Sequence, residues 1–184
     1  RSCCVWVQPE WVFGEGMGRA LRAVARAPAR SLSEYATPFG LPALRNLLAR
    51  RLSSTGLEVS PEQIMLTESG TQAIDLICRL FLQAGDAVLV DDPCYFNFHA
   101  LLKAQRVKVV GVPYTEHGPD LQAFQAALAE HKPRLYITNS GIHNPTGATL
   151  SPVTAHRLLK LIEGSDTVVV DADLFDEFEL PPAV

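Results

Sequence analysis

The chain has 184 residues, 47% of them hydrophobic and 20% charged, with a formal net charge of −4. This is a globular composition, and its mild acidity gives no general attraction to nucleic acid. No apolar run approaches the roughly 18 residues that a membrane-spanning helix needs. No secretory signal stands at the start, which is Arg1 and not Met, so the natural start is expected upstream. The four cysteines, Cys3, Cys4, Cys78 and Cys94, match no zinc spacing, and reduced thiols of a cytoplasmic protein are expected.

In chain order, the first element is a helix over about Met17–Arg26, stopped by Pro28. A loop with Pro38 and Gly40 follows, then a helix opened by Pro42 and closed by Gly56. Leu41, Leu44, Leu47, Leu48 and Leu52 share its apolar face. From about residue 60 the rhythm changes. "QIMLTES", "DAVLVDD", "RVKVVGVPY", "RLYITNS" and "DTVVVDA" have the short apolar pattern of strands. Between them lie four helical stretches, "GTQAIDLICRLFLQ", "CYFNFHALLKAQ", "DLQAFQAALAEH" and "SPVTAHRLLKLIE". Regular alternation of this kind predicts parallel βαβ units in a three-layer α/β/α domain with a mainly parallel sheet. The expected organisation is an N-terminal arm with helices over 1–58 and a layered domain over 59–184. Only "DLFDEFELPPAV" follows the last strand, which points to an incomplete domain from a longer protein.

Ligands of open parallel sheets bind beyond the C-terminal strand ends, so the residues there are the candidates. "ESGTQA" places Ser69, Gly70, Thr71 and Gln72 at a helix start. Open N–H groups and the helix dipole suit an anion such as phosphate; the alternative is plain N-capping by Ser69 or Thr71. Tyr95 in "DDPCYFNF" could stack on a planar ligand or pack in the core. "HNPTG" is a turn: Pro145 has no N–H, Gly147 supplies conformational freedom, and Asn144 either donates to a ligand oxygen or holds its own turn. Asp171 and Asp173 in "DADLFDEF" could face a cationic ring nitrogen or be solvated loop acids. An anion cradle, an aromatic plate, an amide and a carboxylate at one sheet edge together suit a flat, phosphorylated, nitrogen-containing aromatic. No Gly-x-Gly-x-x-Gly is present, which favours a ligand like pyridoxal phosphate over a dinucleotide. A Ser-His-Asp order, a metal pattern and a P-loop are also absent.

These motifs resemble the class I/II aminotransferase superfamily of pyridoxal-phosphate proteins, from about Tyr35 to the end of the chain. "EYATPFGLPALR", "SGTQA", "DDPCYFNF" and above all "HNPTG" carry the resemblance. The run "HNPTGATLSP…AHRLL…DTVVVDADLFDEF" is most similar to the MocR-type branch of GntR-family transcriptional regulators. Those proteins join a winged helix-turn-helix to an aminotransferase-like domain that senses pyridoxal phosphate. The resemblance implies that Gly70, Thr71 and Gln72 hold the phosphate, Tyr95 stacks on the ring and Asn144 bonds its 3′ oxygen. It also implies a homodimer, with Tyr35 reaching the phosphate of the partner subunit.

Three departures stand out against that pattern. The family's Schiff-base lysine and substrate-carboxylate arginine belong to a later part of the domain than this chain contains, so no catalytic residue is assigned and the chain alone is expected to be inactive. The spacing that gives the family's ring-nitrogen aspartate lands on Ala172, flanked by Asp171 and Asp173, either of which a one-residue shift could bring to that place. Phe175 stands where many relatives carry a tyrosine. These losses suit a sensor of a small amino acid or amine effector, with DNA bound only through a winged helix outside this chain. The alternatives are a piece of a genuine aminotransferase, moving amino groups between an amino acid and a 2-oxo acid, and a structural fragment that binds no cofactor.

Overall fold

A computed structural model describes residues 12–28, 33, 35 and 37–173. The chain divides into two compact units, Arg1–Leu66 and Thr67–Val184. Cys3, Cys4 and Phe175 lie outside the described residues.

The first unit holds helix α1 (Gly14–Ala25), helix α2 (Pro42–Ser54) and a single 3₁₀ turn at Pro61–Gln63. Pro42 opens α2 at its first position, where a missing N–H costs nothing. Gly56, at φ +90°, follows its C-terminal cap. Arg45 ties α2 to the 3₁₀ turn by donating two hydrogen bonds to the Pro61 carbonyl, at 2.9 and 2.6 Å. The expected leucine stripe is only partly covered: Leu41, Leu44 and Leu47 are exposed, whereas Leu48 and Leu52 are half-buried.

One expected strand is absent. "QIMLTES" runs without β-ladder pairing. The Leu66 N–H bonds the Phe39 carbonyl at 3.0 Å, inside the same unit. An extended segment becomes a strand only where a neighbour offers alternate donors and acceptors, and none of the described strands pairs with it.

The second unit contains α3 (Gly70–Phe81), β1 (Ala87–Asp92), α4 (Phe96–Ala104), β2 (Lys108–Thr115), β3 (Gly118–Pro119), α5 (Leu121–His131), β4 (Leu135–Thr138), α6 (Pro152–Ile162) and β5 (Val168–Asp171). The other four expected strands and all four expected helices are therefore present. The sheet order is β3-β2-β1-β4-β5. β1 pairs in parallel with β2 and β4, and β4 with β5. β3 is a two-residue antiparallel return after β2. It forms because Gly118 takes φ +121° while its carbonyl accepts from the Thr115 hydroxyl at 2.7 Å.

Strand alternation sorts the core into two layers. On one face Val88, Val90, Leu135 and Ile137 pack with Ile74 and Cys78 of α3 and with Phe98 and Leu102 of α4. On the other, Leu89, Val112 and Tyr136 pack with Phe124 of α5 and with Leu158 and Ile162 of α6. Helices thus cover both faces, giving the three-layer α/β/α domain with a mainly parallel sheet. The chain leaves β1 for β2 on one side, then crosses to β4 on the other. That reversal opens a crevice at the C-terminal ends of β1 and β4, the usual ligand position of such sheets. No described helix is long and apolar enough to cross a membrane.

Candidate functional site

At the start of α3, Ser69 is the N-cap and its hydroxyl accepts from the Gln72 N–H at 3.2 Å. The Gln72 side chain turns back, its Oε1 accepting from the Glu68 N–H at 2.7 Å. The capping reading of Ser69 is thus met. The cap consumes the third N–H and leaves those of Gly70 and Thr71 without an intrahelical partner. Gln72 is spent on the loop.

A cavity of about 290 Å³ opens beside that helix start, lined by Gly70, Thr71, Tyr95, Asp171, Ala172 and Asp173, with an apolar floor that includes Ile74 and Phe98. Tyr95 is half-buried. Its ring meets Phe96 and Phe98 edge-on at 4.9 and 5.7 Å, and its hydroxyl accepts from the Asn97 amide at 2.9 Å. Its ring packs on the core cluster and also lines the cavity.

The strand end at β5 separates the two acids. Asp171 accepts from the Ser140 N–H at 3.0 Å and from the Ser140 hydroxyl. Ala172 and Val170 pack toward the cluster that holds Tyr95. Asp173 is exposed at the cavity margin. The residue that presents its side chain to the apolar wall is therefore Ala172, a methyl group.

Asn144 does not line this cavity. It sits in the turn after β4, half-buried, and its side chain makes no hydrogen bond among the described residues. Its neighbours hold the turn instead. The Gly147 N–H bonds the His143 carbonyl at 2.7 Å, and the His143 N–H bonds the Ala148 carbonyl at 2.9 Å. The Thr146 hydroxyl meets His143 Nδ1 at 2.7 Å and accepts from the Ala148 N–H at 3.3 Å. Gly147 takes φ +74°, the left-handed region that favours glycine. Tyr35 is fully exposed and belongs to the first unit.

Sequence reasoning missed Asp91. It is buried on the opposite face from the cavity, where its carboxylate accepts from the Tyr136 hydroxyl at 2.6 Å and the Thr138 hydroxyl at 2.7 Å. His143 Nε2 lies 3.4 Å from Asp91 Oδ2, and the imidazole stacks on Tyr114 with centroids 3.8 Å apart. Burial, and then the Asp91 charge, push the Tyr114 and Tyr136 hydroxyls far above their ordinary range, so both stay protonated. The signal lies in the register and not in the sequence: Asp91, Tyr136 and Thr138 fall on one side of adjacent strands β1 and β4.

Cys94 lies between Asp92 and Tyr95. Burial pushes its thiol up to about 11, with the Asp91 and Asp92 charges adding to the shift. Little thiolate exists at pH 8, so iodoacetamide should label Cys94 about 100-fold more slowly than an unperturbed thiol. The rate should then climb about tenfold per pH unit toward pH 11. Site-resolved mass spectrometry measures this; labelling of Cys94 at the ordinary rate at pH 8 would contradict it.

The aminotransferase class I and II family matches residues 15–180. The chain belongs to that family. It is 30% identical over 163 residues to the uncharacterised HTH-type transcriptional regulator YdcR of Escherichia coli, covering 88% of this chain and 35% of the relative. It is 31% identical over 170 residues to the 2-aminoadipate transaminase of Thermus thermophilus, covering 92% and 41%. An archaeal alanine:glyoxylate aminotransferase superposes with a TM-score of 0.81 at 30% identity, covering 89% of this chain and 42% of that one. The kynurenine aminotransferase of Pyrococcus horikoshii, solved with PMP, does so at 0.80 and 27%, covering 89% and 42%. The chain thus spans less than half the length of these relatives, which include both regulators and enzymes.

A phosphorylated pyridine fits part of this aminotransferase-family site. Two open N–H groups and an aromatic wall line the cavity; the Asn144 amide does not. A cation-stabilising acid facing the apolar wall is not present, since Ala172 stands there. None of Lys103, Lys108, Lys132 and Lys160, the lysines of this chain, lines the cavity.

Proposed function

We propose that this chain is the cofactor-binding part of an aminotransferase-like sensor domain in a GntR/MocR-type transcriptional regulator, with pyridoxal phosphate as the group bound. The observation that carries this reading is the convergence of Gly70, Thr71, Tyr95 and the β5 end on one cavity. The N–H groups of Gly70 and Thr71 would receive the phosphate, supported by the α3 dipole. Tyr95 would cover one ring face, and Asn144 would donate to the ring oxygen. When bound, pyridoxal phosphate supplies an aldehyde carbon and an electron-withdrawing ring. This chain's residues bind and orient; Ala172 offers the ring nitrogen no charge.

The replacement of an acid by Ala172 supports sensing over fast turnover. Similarity to HTH-type regulators supports the same reading, with DNA contact through a separate winged helix, a homodimer in which Tyr35 reaches the partner's site, and a cytoplasmic setting. A genuine aminotransferase is the second reading, favoured by the transaminase relatives.

The test is an absorbance titration of the full-length protein with pyridoxal phosphate, followed by borohydride reduction and peptide mapping, then a gel-shift assay. Cofactor binding together with DNA binding supports the regulator. Cofactor binding with amino-group transfer and no DNA binding supports the enzyme. Asn144→Ala should weaken pyridoxal-phosphate binding about 5- to 10-fold, the worth of one hydrogen bond. An unchanged Kd would remove Asn144 from the site.

A further inference from the structure

Helix α4 lines the cavity with three side chains, Asn97, Phe98 and Leu101. Leu101 stands four residues after Asn97 and three after Phe98, so the three share one side of the helix. Phe98 and Leu101 are hydrocarbon and pack in the core cluster. Asn97 is the polar member. It is half-buried and has no part in the binding scheme above.

The local geometry delivers its amide to Tyr95. Side chains two residues apart within a helix do not face each other. Tyr95, however, is the N-cap of α4, with its backbone outside the helical region at φ −59° and ψ 124°. Its side chain therefore escapes the helical spacing and runs beside the first turn. The Phe98 N–H closes that turn on the Tyr95 carbonyl at 3.0 Å. The Asn97 amide then meets the Tyr95 hydroxyl at 2.9 Å.

Two kinds of contact hold the Tyr95 ring. Phe96 and Phe98 meet it edge-on, at interplanar angles of 62° and 88°. Phe96 is itself 46% exposed, so one of these supports is a surface side chain. At the far tip of the ring, among the described residues, the hydroxyl is held by the Asn97 amide alone. A hydrogen bond is directional and weakens steeply when misaligned. Holding the tip in this way fixes the tilt of the plane, and aromatic pairing depends on that tilt.

We propose that Asn97 is a positioning residue: through the Tyr95 hydroxyl it sets the tilt of the ring that covers one face of the bound pyridine. The proposal rests on the cofactor reading and on Tyr95 as the covering ring. It holds whichever of the two groups donates, because either direction ties the hydroxyl to the amide.

The experiment uses the full-length protein, with pyridoxal phosphate as the probe and two readouts. One is the Kd from absorbance titration. The other is the visible circular dichroism of the bound cofactor at saturation. Free pyridoxal phosphate is achiral, so that signal comes from its surroundings and follows the Tyr95 tilt, whereas a mere loss of stability leaves it in place. Asn97→Leu, which keeps the shape of the side chain, should weaken binding about 3- to 5-fold and change the dichroic band. Tyr95→Phe, which removes only the hydroxyl, should do both to the same extent, and serves if Asn97→Leu fails to fold. The double variant should lose no more than either single one. An unchanged Kd and band in Asn97→Leu, or losses that add in the double variant, would overturn the proposal. Failure of the wild type to bind pyridoxal phosphate would overturn the cofactor reading, and with it the task given to Tyr95. Normal wild-type binding with an unaltered Kd in Tyr95→Ala would instead remove Tyr95 and Asn97 from the site and leave the cofactor reading standing.

Discussion

Asp91→Ala should lower the unfolding free energy of the second unit by about 3–5 kcal/mol, the range for removing one partner from a buried charged cluster. The physical reason is the pair of hydroxyls left behind. Tyr136 and Thr138 both donate to that carboxylate, and both are buried. Each loses its partner where water does not reach, and an orphaned buried polar group costs about 1–3 kcal/mol. The loss is large against the roughly 5–15 kcal/mol that stabilises a typical domain. A compensated triple variant, Asp91→Leu with Tyr136→Phe and Thr138→Val, should recover most of it, because the two orphaned hydroxyls are then gone and only the long Asn139 N–H contact stays unmet. Urea unfolding followed by circular dichroism measures both. A triple variant as unstable as the single one would mean that packing around Asp91, and not its hydrogen bonds, sets the cost.

Phe98→Ala should cost a similar amount, about 3–5 kcal/mol. Phe98 is 1% exposed and sits where α4 meets β1, β4 and α3. Truncating it opens a void that close-packed neighbours refill only in part. It also removes the edge contact at 5.7 Å that supports the Tyr95 ring. Binding at the cavity should weaken beyond what the stability loss alone explains. Phe98→Leu, which keeps most of the volume, should cost less than half as much. Equal midpoints for Phe98→Ala and the wild type would show that the α4 layer is not tightly packed.

The layered architecture was legible because its signals are local. Val88-Leu89-Val90 and Leu135-Tyr136-Ile137 are short apolar runs buried on both sides. Ser69, Asp120 and Ser151 cap the helices that follow them. What was not legible depended on partners distant in sequence. "QIMLTES" has strand composition, yet pairing is a property of two segments, and composition reports only one. The β2–β3 return was hidden because Thr115-Glu116-His117-Gly118 lacks the usual Asn-Gly or Asp-Gly signal. At the site, that Ala172 and neither flanking acid meets the apolar wall needed the direction of alternation at β5, which the Ser140 contacts with Asp171 supply. Asp91 stands in "DAVLVDD" with no local sign that it is buried. Its burial becomes visible only once Tyr136 and Thr138 lie beside it in register.

Side chains, in addition to the backbone ladder, stitch the strand ends of the sheet together. Asp91 joins the ends of β1 and β4, Ser140 reaches Asp171 at the end of β5, and the Asn139 amide bonds the Ala172 carbonyl. His143 lies against Tyr114 from β2. Four neighbouring strands therefore end in a collar whose geometry is set before any ligand arrives. The entropy of ordering these loops is lost during folding, once, and is not lost again at each binding event. A ligand entering such a collar keeps more of its contact energy as affinity. The same stiffness leaves the site little freedom to remould itself around a ligand of a different shape.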